Sequence, residues 1–361
     1  MEDKMEEYVS SSFMGLNTML SILKKRYDGE VTFANLLQEK SNHLFFKIRD
    51  FGLQVLPHIH RYCVVCLEPF AAIGIRPGPC FNALCQYSYE EHGLGFSLEL
   101  EILRDPQVFD LLIVFMFAAA EDKLFSNLLV FPVDLSTNLT EIKSIISKIP
   151  SIDEMCHHAI CNSLRLHLNR IHPLMYRLLR SMVTANKALI QSTGTKNQFI
   201  VTVNPERELE FAKLRAETPG GSFLAFHGTR LSSYTSILAN GLRIFSGTQY
   251  QRNGETFGKG IYLSDELPTA LTYARGGNIW SGSTFAPNSR VVACCEVLHR
   301  QNEMTGRDSI PKFFRGKKIF IVDKESYLIP RFLLVNPRVD PNLKSTLISS
   351  MEEQMKLQLY R

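Results

Sequence analysis

The sequence lacks a large charge of either sign and also lacks a long apolar run. Its 40 basic residues are nearly balanced by 36 acidic ones, so the formal net charge is only +4. A surplus this small predicts neither nucleic acid nor an anionic membrane surface as a partner. The longest apolar run, 111–120, is too short for a membrane-spanning helix, which needs roughly 20 apolar residues.

A secretory signal is missing too, because the start MEDKMEEYVSSSF has no basic stretch followed by an apolar segment. We therefore expect a soluble cytoplasmic protein, with a nuclear location left open. In either compartment the eight cysteines are expected to be reduced. Clustered cysteines are then interpreted as metal ligands or core residues rather than as a disulfide framework.

The residue pattern changes several times along the chain, without internal repeats or low-complexity tracts. Ser151 and Glu154 have the spacing of a helix capping box. From about Val201 short β-rich runs are separated by glycines, which predicts an α+β domain. The expected segments are an N-terminal helical segment (1–50), a cysteine-rich mixed module (51–138), a helical region (139–200), the α+β domain (201–340) and a C-terminal helix (341–361).

The most informative run begins at Phe223, where an apolar strand leads directly into His227 and Gly228. Because glycine has no Cβ, a planar carboxamide could approach its N–H and C=O closely enough for a pair of hydrogen bonds. Taken alone, the His-Gly pair is explained equally well by a simple turn. The pair becomes specific only through the sequence around it.

Four blocks follow one another in order. They are F-L-A-F-H-G-T at 223–229, S-I-L-A-N-G-L at 236–242, F-G-K-G-I-Y at 257–262, and Tyr273. Together they resemble the catalytic domain of the poly(ADP-ribose) polymerase family. The resemblance implies an ADP-ribosyltransferase fold, with two packed antiparallel β-sheets and helices, and it implies NAD+ as the substrate.

The resemblance also implies roles for individual residues. His227 and Tyr262 match two members of the family's active-site triad, and His227 is expected to hydrogen-bond the adenosine ribose of NAD+. Gly228 is expected to hold the nicotinamide amide, and Thr229 keeps a hydroxyl where relatives have a ribose-contacting serine. Tyr262 and Tyr273 would sandwich the nicotinamide ring. The alternative is that the two tyrosines only pack in the hydrophobic core.

The third triad position decides the length of the product. In polymer-forming relatives a glutamate there holds the ribose 2′-hydroxyl and helps to extend the chain. Counting back thirteen places from Phe332 assigns the position to Ile319, and 317–321 contain no carboxylate. Glu296 is the nearest acidic alternative, and we interpret it as structural. Ala270 replaces a serine that contacts the nicotinamide amide in many relatives.

These matches imply a mono-ADP-ribosyltransferase that transfers ADP-ribose from NAD+ to protein acceptors, with the chain itself among the candidates, and releases nicotinamide. A carboxylate or thiolate acceptor is already nucleophilic and needs no glutamate to activate it. The alternative is an inactive module that binds NAD+ or ADP-ribose and is coupled to a zinc-stabilised interaction domain. Ala270 and Ile319 are both compatible with that alternative, because each replaces a polar residue of the active relatives.

Four cysteines are clustered before the β-rich part, with the spacing C-x2-C-x13-C-x4-C. The first pair has the spacing that lets two thiolates meet at one tetrahedral zinc ion. Four buried, reduced cysteines are the equally weighted alternative. The segment also resembles a cysteine-rich region that precedes the catalytic domain in one mono-ADP-ribosylating branch of the family. The candidate zinc ligands are Cys63, Cys66, Cys80 and Cys85.

Overall fold

The chain divides into two compact units, Met1–Phe96 and Ser97–Arg361. The computed structural model describes residues 61–66, 68–69, 78–80, 82–91, 97–122, 139–186, 188–194, 197–244, 259–299 and 319–350. The predicted helical segment at 1–50 lies outside these ranges, and the bounds of the five predicted segments stay predictions. Among the described helices, none combines the length and the apolar character needed to cross a bilayer.

In the first unit, the described residues form a small cysteine-bearing structure. Two isolated β-bridges join Tyr62 to Pro69 and Cys63 to Gly78. A helix, α1 (Ala83–Glu91), follows and carries Cys85 on its buried side. The bridges therefore bring the first cysteine pair close to the segment that leads into this helix.

The second unit begins with a helical layer. Its first two helices start at side-chain caps, since Ser97 Oγ accepts the N–H of Leu100 and Asp105 Oδ1 accepts that of Val108. Ser151 Oγ likewise accepts the N–H of Glu154 at 3.3 Å, at the spacing from which the sequence predicted a helix start. The helices are α2 (Leu98–Arg104), α3 (Pro106–Glu121), α4 (Leu139–Ile146), α5 (Ile152–Ile160), α6 (Leu164–Ile171) and α7 (Met175–Ala185).

Helix α3 attaches this layer to the β-rich part of the unit. The ring of Phe115 stacks on that of Tyr234 with centroids 4.9 Å apart. Asp110 is fully buried on α3 and accepts hydrogen bonds from Trp280 Nε1 at 3.0 Å and from the backbone N–H and the hydroxyl of Thr284, both at 2.7 Å. A buried carboxylate with three donors is satisfied, so Asp110 holds the segment around Trp280 against the helix.

Seven antiparallel strands form the sheet, in the spatial order β1-β2-β7-β5-β3-β4-β6. Helices α8 (Pro205–Ala216), α9 (Tyr234–Asn240) and α10 (Leu267–Tyr273) connect strands, and residues 343–350 are helical. The strands are β1 (Leu189–Ser192), β2 (Gln198–Thr202), β3 (Ser222–Gly228), β4 (Ile261–Ser264), β5 (Val291–Leu298), β6 (Ile319–Val322) and β7 (Leu328–Val335).

The α+β class expected from the sequence is confirmed, and the described strands belong to one hydrogen-bonded sheet. Strand β3 pairs with β5 along its whole length, but it pairs with β4 only through Phe226 and Ser264. The sheet therefore consists of a five-stranded part and the antiparallel β4–β6 pair, joined through one pair of residues. The two packed sheets expected from the sequence are not found among the described residues, because that one pair makes β4 and β6 part of the same sheet.

The main core lies under the five-stranded part. Leu224 and Phe226 project from β3 into a cluster with Leu267, Ala270 and Ala274, from α10 and the residue after it. Every residue of β5 is buried, as expected for a central strand covered on both faces. Burial raises the pKa of Cys294, on that strand, to about 12, so this thiol is neutral and serves packing.

One charged group is buried in the same central strand. Glu296 accepts hydrogen bonds from Arg215 at 2.9 Å, from the Ser222 hydroxyl at 2.6 Å and from Arg331 at 2.8 Å. Arg331 also donates to Glu208 at 2.6 Å. Burial pushes the pKa of Glu296 upward, but Arg331, Ser222 and Arg215 outweigh burial and hold that pKa below its usual value.

Glu296→Gln is expected to lower the free energy of unfolding at neutral pH by about 3 kcal/mol, because two arginines lose their buried partner charge. Since the pKa of Glu296 is depressed in the folded protein, the difference from wild type should be complete at pH values above the ordinary glutamate pKa. It should shrink as the pH falls through the folded pKa. Urea unfolding of both proteins between neutral and acid pH measures this.

The matched control is Glu210→Gln, which removes a carboxylate that pairs with Arg207 at 2.9 Å on the exposed face of α8. An exposed pair within one helix contributes about 0.5 kcal/mol or less, so this variant should resemble wild type. Equal losses in the two variants would contradict a structural role for the Glu296 cluster.

Candidate active site

The candidate site lies where β3 and β4 separate. Phe226 forms the last ladder pair between the two strands, opposite Ser264. The next residue on β3 is His227, and its ring nitrogen Nδ1 lies 2.9 Å from the backbone carbonyl oxygen of Tyr262. A side chain thus bridges the two strands at the point where backbone pairing stops.

This hydrogen bond decides the protonation of the His227 ring. A carbonyl oxygen can only accept, so Nδ1 carries the proton and donates it to Tyr262. Burial lowers the pKa of His227 below its usual value, and the bond to Tyr262 opposes that effect only in part. The ring is therefore neutral at pH 7, and Nε2 keeps a lone pair that can accept a hydrogen bond from a ligand hydroxyl.

Gly228 ends β3 in contact with the backbone of helix α10. A Cβ built on Gly228 would lie 1.8 Å from the carbonyl oxygen of Ala270 and 3.1 Å from the backbone nitrogen of Ala274. The sequence had suggested that a ligand needs the bare backbone at this position. Within the protein itself, the close approach of α10 already requires glycine here, a constraint that no local motif reveals.

A second glycine positions Tyr262. A Cβ on Gly260 would lie 2.6 Å from Cγ2 of Ile321 and 2.8 Å from the carbonyl oxygen of Val322, and its φ of +153° also favours glycine. The chain can therefore enter β4 closely packed against β6. Tyr262 then pairs with Ile321 in this short ladder.

Tyr273 is the last residue of α10, the helix that contacts Gly228, and 42% of its surface is exposed. Ala270, one turn earlier, is buried in the core cluster. An exposed aromatic ring at the end of a packed helix is free to stack on a ligand. The roles of Thr229, Tyr262 and Tyr273 in holding NAD+ stay predictions.

The assigned third position also falls in this part of the sheet. Ile319 is the first residue of β6, is half-buried and pairs with Ser264. His227, Tyr262 and Ile319 therefore lie on three neighbouring strands, β3, β4 and β6, although they are far apart in sequence. The described part of β6 has the sequence IFIV and contains no carboxylate.

Glu296 lies away from these residues along the sheet. It pairs with Leu224 on β3, whereas His227 pairs with Ala293. Both of its carboxylate oxygens are hydrogen-bonded within the protein. This supports the interpretation of Glu296 as structural, because a carboxylate whose two oxygens are each held by an arginine is not available to a substrate.

The four clustered cysteines meet in the first unit. Their sulfur atoms all lie within 4.8 Å of one another, and Sγ of Cys66 and Sγ of Cys80 are 3.8 Å apart. Sγ of Cys63 accepts the backbone N–H groups of Val65 at 3.4 Å, Cys66 at 3.5 Å and Cys80 at 3.2 Å. Three donors converging on one sulfur create a site for a thiolate.

The pKa directions of the cluster agree with that geometry. Burial raises the pKa of Cys63, but the backbone N–H groups of Cys66, Val65 and Cys80 outweigh it, so the net pKa is lowered. The pKa of Cys66 and that of Cys85 are raised, in both cases chiefly by burial. Four thiols this close suit a cation, since a metal ion would stabilise every thiolate together.

Residues 176–334 match the model of the poly(ADP-ribose) polymerase catalytic domain family. This match starts in α7 and ends in β7, so it contains all the strands of the sheet. It includes every residue that the sequence placed at the candidate NAD+ site. The resemblance found from the sequence motifs is therefore confirmed for this part of the chain.

Similar curated proteins include two mono-ADP-ribosyltransferases. Protein mono-ADP-ribosyltransferase PARP8 of Homo sapiens is 29% identical over 252 residues, which are 62% of this chain and 29% of that protein. Protein mono-ADP-ribosyltransferase PARP16 of Homo sapiens is 31% identical over 140 residues, 35% of this chain and 42% of that protein. Poly [ADP-ribose] polymerase 1 of Arabidopsis thaliana is 40% identical over 70 residues, 19% of this chain and 7% of that protein. The chain thus spans less than a third of PARP8.

Gly228→Ala is expected to destabilise the protein by about 2 kcal/mol, because the added methyl group would displace α10. It should also weaken binding of a non-hydrolysable NAD+ analogue, since α10 carries Tyr273. Urea unfolding and calorimetry measure the two effects. The control is Gly277→Ala, whose Cβ would meet no atom within 4 Å. If both variants unfold like wild type, the contact of Gly228 with α10 is misplaced.

Proposed function

Because residues 176–334 carry a poly(ADP-ribose) polymerase catalytic domain, we propose that this chain is a mono-ADP-ribosyltransferase. In this reaction it transfers one ADP-ribose unit from NAD+ to a protein acceptor and releases nicotinamide. The observation that carries the proposal is the placement of His227, Tyr262 and Ile319 on three adjacent strands, with His227 bonded to the backbone of Tyr262. Protein acceptors, with the chain itself among them, are part of the proposal.

Recognition of the substrate comes first in the proposed mechanism. The neutral His227 ring, with Nδ1–H held by Tyr262, offers Nε2 as an acceptor to a ribose hydroxyl. The exposed end of Gly228 offers backbone N–H and C=O groups to a carboxamide. Tyr262 and Tyr273 supply aromatic faces for a cationic pyridinium ring, which such faces attract.

The proposed chemical step requires little proton transfer by the protein. Nicotinamide leaves NAD+ as a neutral molecule when its bond to the ribose breaks, and the sugar acquires oxocarbenium character. Holding the two ends of NAD+ in fixed positions exposes that carbon to an acceptor. A carboxylate or thiolate acceptor attacks directly, because it needs no deprotonation.

Ile319 accounts for the proposed product. Its aliphatic side chain can neither hydrogen-bond a ribose hydroxyl nor polarise one for attack on a second NAD+. Ile319 therefore does not activate an attached ADP-ribose unit as the acceptor of a second one. The names of two of the similar proteins, PARP8 and PARP16, describe mono-ADP-ribosyltransferases, and this supports the same product.

Incubation with labelled NAD+ is expected to label protein by a single ADP-ribose mass increment and to release nicotinamide. His227→Ala should lower the rate at least about 100-fold, because the substrate loses a positioning contact. His299→Ala is the matched control, since His299 is exposed and its ring contacts that of Phe223 at the opposite end of β3. Intact-mass spectrometry and nicotinamide release measure both.

Two outcomes would oppose the proposal in different ways. A ladder of polymer from the wild-type chain would contradict the assignment of Ile319. NAD+ binding without nicotinamide release would favour the alternative of a module that only binds. Ile319→Glu is expected to unfold more easily and still make no polymer, since it places a charge in a half-buried strand and elongation also needs a second acceptor site.

We also propose that the cysteine cluster holds a structural zinc ion through Cys63, Cys66, Cys80 and Cys85. The three N–H groups that converge on Sγ of Cys63 support this, because they stabilise a thiolate before any metal arrives. Four sulfur ligands leave no open position, so the role would be to stabilise the first unit. The four-thiol set favours zinc over calcium or magnesium, which prefer oxygen ligands.

Purified protein kept under reducing conditions is expected to contain about one equivalent of zinc at this cluster, and Cys63→Ser should remove it. The control is Cys156→Ser, which changes a half-buried cysteine of the second unit. Elemental analysis measures the metal. Protein without zinc that still folds and unfolds cooperatively would favour four buried cysteines instead.

A further inference from the structure

A cluster of possible metal ligands lies outside both sites described above, on the helices α5 and α6. Glu154 and His158 are four residues apart on α5, so their side chains share one face of that helix. His167 approaches the same place from α6. One ring nitrogen of each histidine and a carboxylate oxygen of Glu154 lie within 4.8 Å of one another.

The two imidazole rings of this cluster are stacked. Their centroids are 3.8 Å apart and their planes differ by 13°. Protonating both rings would place two positive charges in direct contact. The pKa of His158 is lowered, first by loss of solvent and then by His167 and His157, whereas Glu154 acts in the opposite direction. Neutral imidazole is the form that binds metal ions.

A serine in the turn between the helices contacts the ring of His158. Oγ of Ser163 lies 2.8 Å from Nδ1 of His158 and 3.4 Å from the carbonyl oxygen of that residue. In the tautomer that binds a metal ion through Nε2, Nδ1–H donates to Oγ of Ser163. A second hydrogen bond of this kind is the usual way in which a metal-binding histidine is oriented.

His167 supplies an independent observation. Its Nε2 atom is shielded from solvent and has no hydrogen-bond partner among the described residues. Oε1 of Glu154 is 2.9 Å away, an ion-pair distance, but it does not lie in the direction of a hydrogen bond to the ring. A buried ring nitrogen without a hydrogen bond lowers the stability of the protein. An ion bound between Nε2 of His167 and the carboxylate of Glu154 would remove that cost.

We propose that Glu154, His158 and His167 bind a divalent transition metal ion of the zinc class, at a site separate from the cysteine cluster. Two imidazoles and one carboxylate form a three-ligand zinc set that leaves the fourth position to water or to another side chain. Imidazole ligands favour zinc, nickel or copper over calcium or magnesium. Because an imidazole lone pair lies in the plane of its ring, one of the two stacked rings must turn for both to bind one ion, and the Glu154 side chain, which is 47% exposed, can follow it.

The site would link two helices. Its ligands come from α5 and α6, on either side of the turn at 161–163, where Asn162 has a positive φ of 50°. An ion held by both helices would resist opening of that turn and so stabilise the folded chain. The site does not include any residue of the proposed NAD+ cleft, so this inference does not depend on the proposed activity.

Zinc binding to the untagged full-length chain tests the site, measured by equilibrium dialysis under reducing conditions at a few micromolar free zinc. Wild-type protein is expected to bind about one equivalent more than His167→Ala or Glu154→Gln. The test compares the zinc bound by wild type with that bound by each variant. The result therefore does not depend on whether the cysteine cluster also holds zinc. Cobalt gives a second readout, because the extra ion should add visible absorption without a thiolate charge-transfer band.

His157→Ala is the matched control, since His157 is the exposed neighbour of His158 and does not belong to the cluster. It should bind as much zinc as wild type. Thermal unfolding without metal should show that Glu154→Gln remains folded, and added zinc should raise the midpoint of wild type but not of this variant. Equal zinc binding by wild type, Glu154→Gln and His167→Ala would overturn the proposal.

Discussion

The hydrogen bond from Nδ1 of His227 to the carbonyl oxygen of Tyr262 is the interaction on which the proposed site depends. It connects β3 to β4 next to the single ladder pair of these strands, Phe226 with Ser264. The same bond keeps the ring neutral and leaves Nε2 available to a ligand.

Close backbone packing supports this arrangement on both sides. Gly228 allows α10 to approach β3, and Gly260 allows β4 to pack against β6. Deeper in the sheet, Glu296 links α8 to the central strands through Arg215 and Arg331. A side chain at either glycine would overlap neighbouring backbone atoms, and loss of the Glu296 carboxylate would leave two arginines without their partner charge.

Much of the candidate site could be predicted because its residues come in short runs with strong local character. His227 and Gly228 end an apolar strand, and Tyr262 follows a glycine in a second one, so each strand could be recognised by itself. The α+β class followed from the same alternation of β-rich runs and glycines. The joining of both parts into one sheet could not be predicted, since it depends on the long-range pairing of Phe226 with Ser264.

By itself, the sequence determined which family the β-rich part resembles and the absence of a carboxylate around Ile319, because both are properties of residue identity and order. Only the tertiary structure decided which side chains meet. It brought the four cysteine sulfurs together, where spacing alone had left zinc and buried thiols equal. It also joined His167 to Glu154 and His158 from another helix. The reason is that ligand and hydrogen-bond partners are chosen by distance in space, and helix packing sets those distances.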